Sequence, residues 1–169
     1  MIFRCEGDLI ANCFVDASFN CHPGAKGHTG YVVYTDVVGS AAIVSRSVIQ
    51  KCVAQSSMEA ELVALHEAVI HLLWCANIME EFGYEQQGIK VFEDNQAAIR
   101  MSKERPVNFK GRSKFIDRKY FGVHSYVESG KLELVFVGTD DNVADFLTKA
   151  LSGGKFKKFR LSIMGDQTE

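Results

Sequence analysis

Residues 56–82 set apolar side chains at three- and four-residue intervals: Leu62, Leu65, Ala68, Val69, Leu72, Leu73, Ala76 and Met79. That spacing marks one face of a long α-helix. Ser56 followed by Glu59 is a capping-box pattern that opens such a helix, and Gly83 stops it. A helix with one apolar stripe must lay it on another layer, and the flanking sequence offers a sheet.

Residues 11–17 ("ANCFVDA") read as a strand, and turn residues follow in "SFNCHPGAKGHTG". "YVVYTD" and "AAIVSRSVI" are β-branched runs on either side of "VVGS", which predicts a hairpin and an antiparallel three-strand meander. After the long helix come a fourth strand in "IKVFED", a short helix in "NQAAIRMSK" and a longer helix in "RSKFIDRKYFGVHSYVES". "LELVFV" is a fifth strand and "NVADFLTKAL" a final helix. The order predicts an α/β fold with a central mixed sheet, helices between strands four and five implying a crossover to a parallel neighbour.

At 169 residues, with 47% hydrophobic and 24% charged residues, the chain suits one globular domain, 1–169. We expect a core over about 12–151 and a basic C-terminal extension over about 152–169. No secretory signal or membrane span is read, so no membrane partner is expected. The 5 cysteines are odd in number and lack a C-x-x-C pair, which suits a reducing compartment. His66 and His71 are five apart rather than four, which argues against a zinc-protease helix. Trp74 is expected in the core. The net charge of −2 conceals two basic patches, residues 103–119 and "KFKKFR" at 155–160, on an otherwise acidic body.

Glu61 precedes Leu65 by four residues and so shares the apolar stripe, whereas Glu59 points away. A carboxylate facing a sheet costs several kcal/mol, or takes a proton, unless a cation or donors meet it. Asp16 closes the first strand, Asp94 the fourth, and Asp145 lies near the start of the final helix. Carboxyl ends of central strands are where α/β sheets place ligands. Asp94 alone has a plainer reading as a helix N-cap. Taken together, these acids suggest hard-oxygen ligation of Mg²⁺ or Mn²⁺.

Asp16 in "VDAS", Glu61 in "MEAELVAL", Asp94 in "EDNQAAI" and Asp145 in "NVADFLTKAL" resemble the Asp-Glu-Asp-Asp set of ribonuclease H. More narrowly, "QSSMEAELVALHEA", "DNQAAI", "GRSKFIDRKYFGV" and "DNVADFLTKAL" resemble the ribonuclease H domain that ends the polyprotein of copia-type LTR retrotransposons. The resemblance covers about residues 12–160. It implies a ribonuclease H-like fold, a five-stranded mixed sheet with strands one to three antiparallel and helices on both faces. It implies hydrolysis of the RNA strand of an RNA–DNA hybrid with two Mg²⁺ ions, Mn²⁺ substituting. Asp16, Glu61, Asp94 and Asp145 would be both catalytic residues and metal ligands. Ser18, Gln55, Ser56, Ser57, Asn95 and Gln96 would meet sugar or phosphate.

A site built of carboxylates repels a polyanion, so Lys110, Arg112, Lys114, Arg118 and Lys119 are expected to supply phosphate contacts. The resemblance further implies a reverse transcriptase domain of the same polyprotein as partner. It implies a cytoplasmic location in a virus-like particle, or a nuclear one. Two departures stand out: Phe115 where the pattern has His, and Val137-Gly138-Thr139 where it has Val-Pro-Thr. No counterpart of the mobile catalytic-loop histidine of cellular ribonucleases H is present in "GTDDN". The rival function is a domesticated or weakly active module that binds nucleic acid without cutting it.

Overall fold

The computed structural model describes residues 9–35, 40–104 and 122–165. Its elements are β1 (Ala11–His22), β2 (Lys26–Thr35), β3 (Val44–Ile49), α1 (Ser57–Glu81), β4 (Ile89–Glu93) and α2 (Gln96–Lys103). A helical stretch at 122–128 (α3), β5 (Leu132–Phe136), α4 (Asp145–Thr148) and α5 (Gly153–Met164) complete the chain. They build a five-stranded sheet of order β3-β2-β1-β4-β5. The β1–β2 and β2–β3 pairs are antiparallel, and β1–β4 and β4–β5 are parallel. This is the expected mixed sheet.

The two faces of the sheet bury different partners because side chains alternate along each strand. Cys13, Val15, Ala17, Tyr31, Val33, Ile89 and Val91 pack with Leu65, Ala68, Val69, Leu72 and Ala76 of α1. Fully burying a leucine contributes about 1.5–3 kcal/mol, so the stripe is the main cohesive feature of this face. By length and composition α1 could also cross a membrane, but its apolar stripe is buried on β1 and β2. Phe14, Val32 and Tyr34 face the other way and pack with Ala42, Val143, Phe146, Leu147, Phe159 and Ile163.

The start of α1 follows the expected capping box. The Ser56 hydroxyl accepts from the Glu59 backbone N–H (3.2 Å), and the Glu59 carboxylate accepts from the Gln55 N–H (2.7 Å).

Several expectations need correction. The first strand runs on to His22, so the turn is confined to 23–25, with Gly24 and Ala25 at positive φ (75° and 57°). The final helix is one turn only. At Lys149 the backbone becomes extended (φ −127°, ψ 147°), and a separate α5 begins at Gly153. The basic stretch 155–160 lies in α5, whose Phe159 and Ile163 are buried; the Ile163 carbonyl accepts from the Ala42 N–H (2.9 Å). Trp74 is 60% exposed, because it shares with Ile70 the face of α1 opposite the stripe. Residues 36–39, where the hairpin loop was expected, and 105–121, with Phe115 and most of the expected longer helix, lie outside the described residues.

One glycine couples this packing to the acids. Gly30 of β2 pairs with Asp16 of β1. A Cβ on Gly30 would stand 2.6 Å from Thr148 Cγ2, 2.9 Å from Leu147 Cβ and 3.1 Å from the Ala144 carbonyl oxygen. The bare position lets α4 rest directly on β2. Gly30→Ala is expected to cost about 1–3 kcal/mol, as overpacking does, read as a lower urea midpoint. Gly138→Ala, where a Cβ meets nothing within 4 Å, is the control and should leave the midpoint nearly unchanged.

Candidate metal centre

β4 ends at Glu93 beside the middle of its parallel neighbour β1, so Asp16 lies within the longer first strand rather than closing it, and the acids gather where β4 stops. Asp16 (1% exposed) shares the parity of Phe14, which puts it on the α4 face of the sheet. The Thr148 hydroxyl donates to Asp16 Oδ2, and Lys149 Nζ lies 3.1 Å from Asp16 Oδ1. Asp145, the first residue of α4, is equally buried; Lys149 Nζ is 2.6 Å from its Oδ1 and Lys155 Nζ 2.9 Å from its Oδ2. The Asn142 side chain ties the loop before α4 to the sheet by donating to the Val15 carbonyl (2.8 Å).

Burial pushes the Asp16 carboxyl upward, against the Thr148 hydrogen bond and the Lys149 charge, which lower it. Burial acts on Lys149 in the opposite sense, yet its bond to Asp145 and the charges of Asp16 and Asp145 hold it above the usual lysine range. The two ends of the Lys149–Asp16 contact thus pull differently. The shorter contact, to Asp145, is the one that anchors the ammonium.

Asp94 follows β4 directly. Its Oδ2 accepts from the Thr139 hydroxyl (2.9 Å), so Gly138-Thr139 of the loop after β5 holds it in place. The N-cap of α2 is Asn95 rather than Asp94: the Asn95 side-chain oxygen accepts from the Ala97 and Ala98 N–H groups (3.0 and 3.1 Å). Asp94 is thereby left free of the capping role.

Glu61 on the buried side of α1 is 5% exposed, and its Oε2 has no hydrogen-bond partner. Opposite it stands Glu93, an acid not anticipated from the sequence. Glu93 is fully buried, its Oε1 accepting from the Asn95 N–H (2.9 Å) and its Oε2 unpartnered. A signal for it existed, since Glu93 falls in the same alternation as the buried Ile89 and Val91 of β4.

One oxygen from each of Asp16, Asp94 and Asp145 lies within 4.8 Å of the others, and the same holds for Glu61, Glu93 and Asp94. Asp94 is common to both groups, one toward α4 and the other toward α1. The donor set is all carboxylate, which suits a hard divalent cation. The unpartnered oxygens of Glu61 and Glu93 are the clearest sign of fit, because buried acceptors are otherwise satisfied. Lys149 and Lys155 neutralise the α4 side, and the Lys149 side chain, 38% exposed, has room to withdraw.

The other expected contacts are scattered. The Ser18 hydroxyl donates to the Thr148 carbonyl (3.0 Å). Ser56 and Asn95 use their side-chain oxygens as helix caps, while Gln55, Ser57 and Gln96 are exposed. Lys110, Arg112, Lys114, Arg118 and Lys119 lie outside the described residues. Thr139, Thr148, Lys149 and Lys155 were not read from the sequence as part of the site; of these only Lys149, four residues from Asp145, carried a local signal.

Burial first, then the charges of Glu93, Asp16 and Asp94, push the Glu61 carboxyl from its ordinary 4.5 up to about 11. The metal-free folded chain therefore keeps a proton that the unfolded chain releases above about pH 4.5, and stability falls as pH rises from there towards 11. Glu61→Gln keeps the neutral shape and loses that proton linkage. In EDTA its Tm should match wild type near pH 4 and exceed it at pH 8, as followed by thermal denaturation. Parallel pH profiles for the two proteins would show that Glu61 does not carry the proton.

No family model matches the chain. It is 34% identical over 132 residues to the retrovirus-related Pol polyprotein from transposon TNT 1-94 of Nicotiana tabacum, covering 78% of this chain and 10% of that polyprotein. It is 36% identical over 135 residues to the Pol polyprotein from transposon RE2 of Arabidopsis thaliana, covering 79% and 9%. The chain thus spans about a tenth of the length of the curated relatives it matches. Among solved structures, the N-terminal RNase H domain of a Mycobacterium tuberculosis protein superposes with a TM-score of 0.60 at 14% identity, over 83% of this chain and 91% of that one. The RNase H1 LC11, from a compost metagenome, solved with an RNA/DNA hybrid, gives 0.53 at 18% identity, over 81% and 92%. The chain therefore has the ribonuclease H fold and is a relative of the Pol polyproteins of plant copia-type retrotransposons.

Proposed function

We propose that this chain is a ribonuclease H that hydrolyses the RNA strand of RNA–DNA hybrids. The observation that carries the reading is the convergence of Asp16, Glu61, Asp94 and Asp145, from four separate elements or their ends, at the carboxyl end of β4 beside the middle of β1. In this reading these four hold two divalent cations, Mg²⁺ or in its place Mn²⁺. Such ions, when bound, supply Lewis-acid stabilisation of the charge on the attacking and leaving oxygens of a phosphodiester.

The protein's own part is positioning. Thr139 and Thr148 orient Asp94 and Asp16 by hydrogen bonds, so that neither carboxylate has to be ordered when the ions arrive. The Lys149 and Lys155 ammonium groups pair with Asp145, and Lys149 also with Asp16, which holds the two acids close in the metal-free chain. α1 delivers Glu61 from the core side, where packing of Leu62 and Leu65 locks its helix turn. In this reading Gln96 and Ser57, exposed at the starts of α2 and α1, meet sugar or phosphate.

Substrate affinity must come from cations beside the acids. We assign it to Lys110, Arg112, Lys114, Arg118 and Lys119, with exposed Lys157 and Arg160 of α5 as a second source. These contacts fix backbone position without reading bases, so cleavage would be nearly independent of sequence. The hybrid would be recognised by its shape and 2′-hydroxyls. The complex of LC11 RNase H1 with an RNA/DNA hybrid supports that substrate class. The relation to Pol polyproteins supports a reverse transcriptase domain as working partner and a virus-like particle as setting.

The test is cleavage of a hybrid with labelled RNA strand in Mg²⁺. Asp94→Asn and Glu61→Gln are each expected to lower the rate at least 100-fold, about 3 kcal/mol of barrier, with far-ultraviolet circular dichroism unchanged. Glu59→Gln, which loses only a cap contact, should cut at close to the wild-type rate. Normal cleavage by folded Asp94→Asn would overturn the assignment.

A further inference from the structure

Glu93 lies outside the four-acid set, yet it is more deeply buried than any other member of the centre except Asp16 and Asp145, with which it is level. Nothing in its packing explains a carboxylate there. It occupies the third inward position of β4, after Ile89 and Val91, where a leucine would complete the apolar row. Its Oε1 is satisfied by the Asn95 N–H (2.9 Å), but its Oε2 meets no donor. Glu61 presents a second unpartnered Oε2 from the facing helix. Among the described residues the lysine ion pairs are with Asp16 and Asp145, while Glu61 and Glu93 form none, the Lys149 charge reaching Glu61 only as a minor influence.

Two neighbouring buried carboxylates cannot both be charged without a cation. The choices are protonation of one or both, or a bound positive ion. Spacing favours an ion. Oxygens held about 2.0–2.6 Å from a common cation lie within about 4–5 Å of one another, and one oxygen each from Glu61, Glu93 and Asp94 lies within 4.8 Å of the others. A structural acid pair would have no need of a third carboxylate at that distance. Asp94 supplies one, and it is also the acid shared with the Asp16–Asp145 group.

We propose that Glu93 is a fifth carboxylate of the centre, ligating a divalent cation together with Glu61 and Asp94 on the α1 side of the sheet. This rests on the metal-centre reading above. It gives the α1-side ion an all-carboxylate cage, whereas the α4-side ion shares its acids with Lys149 and Lys155. The α1-side site is therefore the tighter of the two, and it fills first.

Equilibrium binding of Mn²⁺, read by the electron paramagnetic resonance of the free ion and by the metal-induced rise in Tm, tests this without any turnover. Wild type should show a tight and a weak class of Mn²⁺ site. Glu93→Gln should weaken the tight class about 10-fold or more, leave the weak class in place and shrink the rise in Tm. If Glu93→Gln does not fold, Glu93→Asp, which keeps the charge but withdraws it by one methylene, should lower the tight affinity by a smaller factor. Unchanged affinity and an unchanged Tm response in a folded variant would make Glu61 and Glu93 a proton-sharing pair and overturn the proposal. A wild type that binds no Mn²⁺ would overturn the metal centre itself, and the proposal with it. Tight Mn²⁺ binding that survives Glu93→Gln refutes the role of Glu93 alone.

Discussion

The constraint on which this structure turns is the repulsion among acids crowded at one edge of a sheet. Asp16, Glu61, Glu93 and Asp145 are buried, and Asp94 completes both groups. Such a cluster is unfavourable as it stands and persists only because the rest of the fold over-determines it. α1 cannot rotate Glu61 outward without exposing Leu62, Leu65 and Ala68. β4 cannot turn Glu93 away without reversing Ile89 and Val91. The core holds the acids together.

The two sides of the sheet resolve the repulsion differently. Toward α4, Lys149 and Lys155 bracket Asp145, and Lys149 reaches Asp16, so ammonium groups offset the acids on that side without metal. Toward α1, among the described residues, no ammonium pairs with the acids, and the carboxyls of Glu61 and Glu93 are held far above the carboxylate range, burial being the first cause for both. Asp94 sits between, oriented by Thr139 and shared by both groups. The break in the chain after α4 serves this arrangement, because an unbroken helix through Lys149 would not place extended backbone where the ammonium turns back to Asp16 and Asp145.

The sheet order and the long helix were legible because each rests on local periodicity that survives packing: the stripe of α1, its capping box and the β-branched runs. Glu61 was legible for the same reason, as a charge out of place on an apolar face. Asp94 and Asp145 could be placed at element ends, whereas Asp16 lies inside a strand that runs on to His22. Glu93 is harder to read, because the adjacent Asp94 also stands at the end of the strand and precedes a helix, although alternation alone puts Glu93 with Val91. Lys155 and Thr148 were not legible, since their contacts join segments brought together only by the fold: Thr148 meets Asp16 across 132 residues of chain. The extension expected after residue 151 proved to contain α5, whose inward Phe159 and Ile163 are spaced four apart but hidden among lysines. Gly30 gave no sign of its role, because the atoms it makes room for belong to α4.

The most direct test of the account is the substrate preference of the unaltered chain in Mg²⁺, with RNA–DNA hybrid, double-stranded RNA and double-stranded DNA of one sequence compared. The account expects the RNA strand of the hybrid alone to be cut, at internal positions, leaving 5′-phosphates, and expects no cutting in EDTA. Binding of the hybrid without cleavage, or cleavage of the DNA duplex, would contradict it.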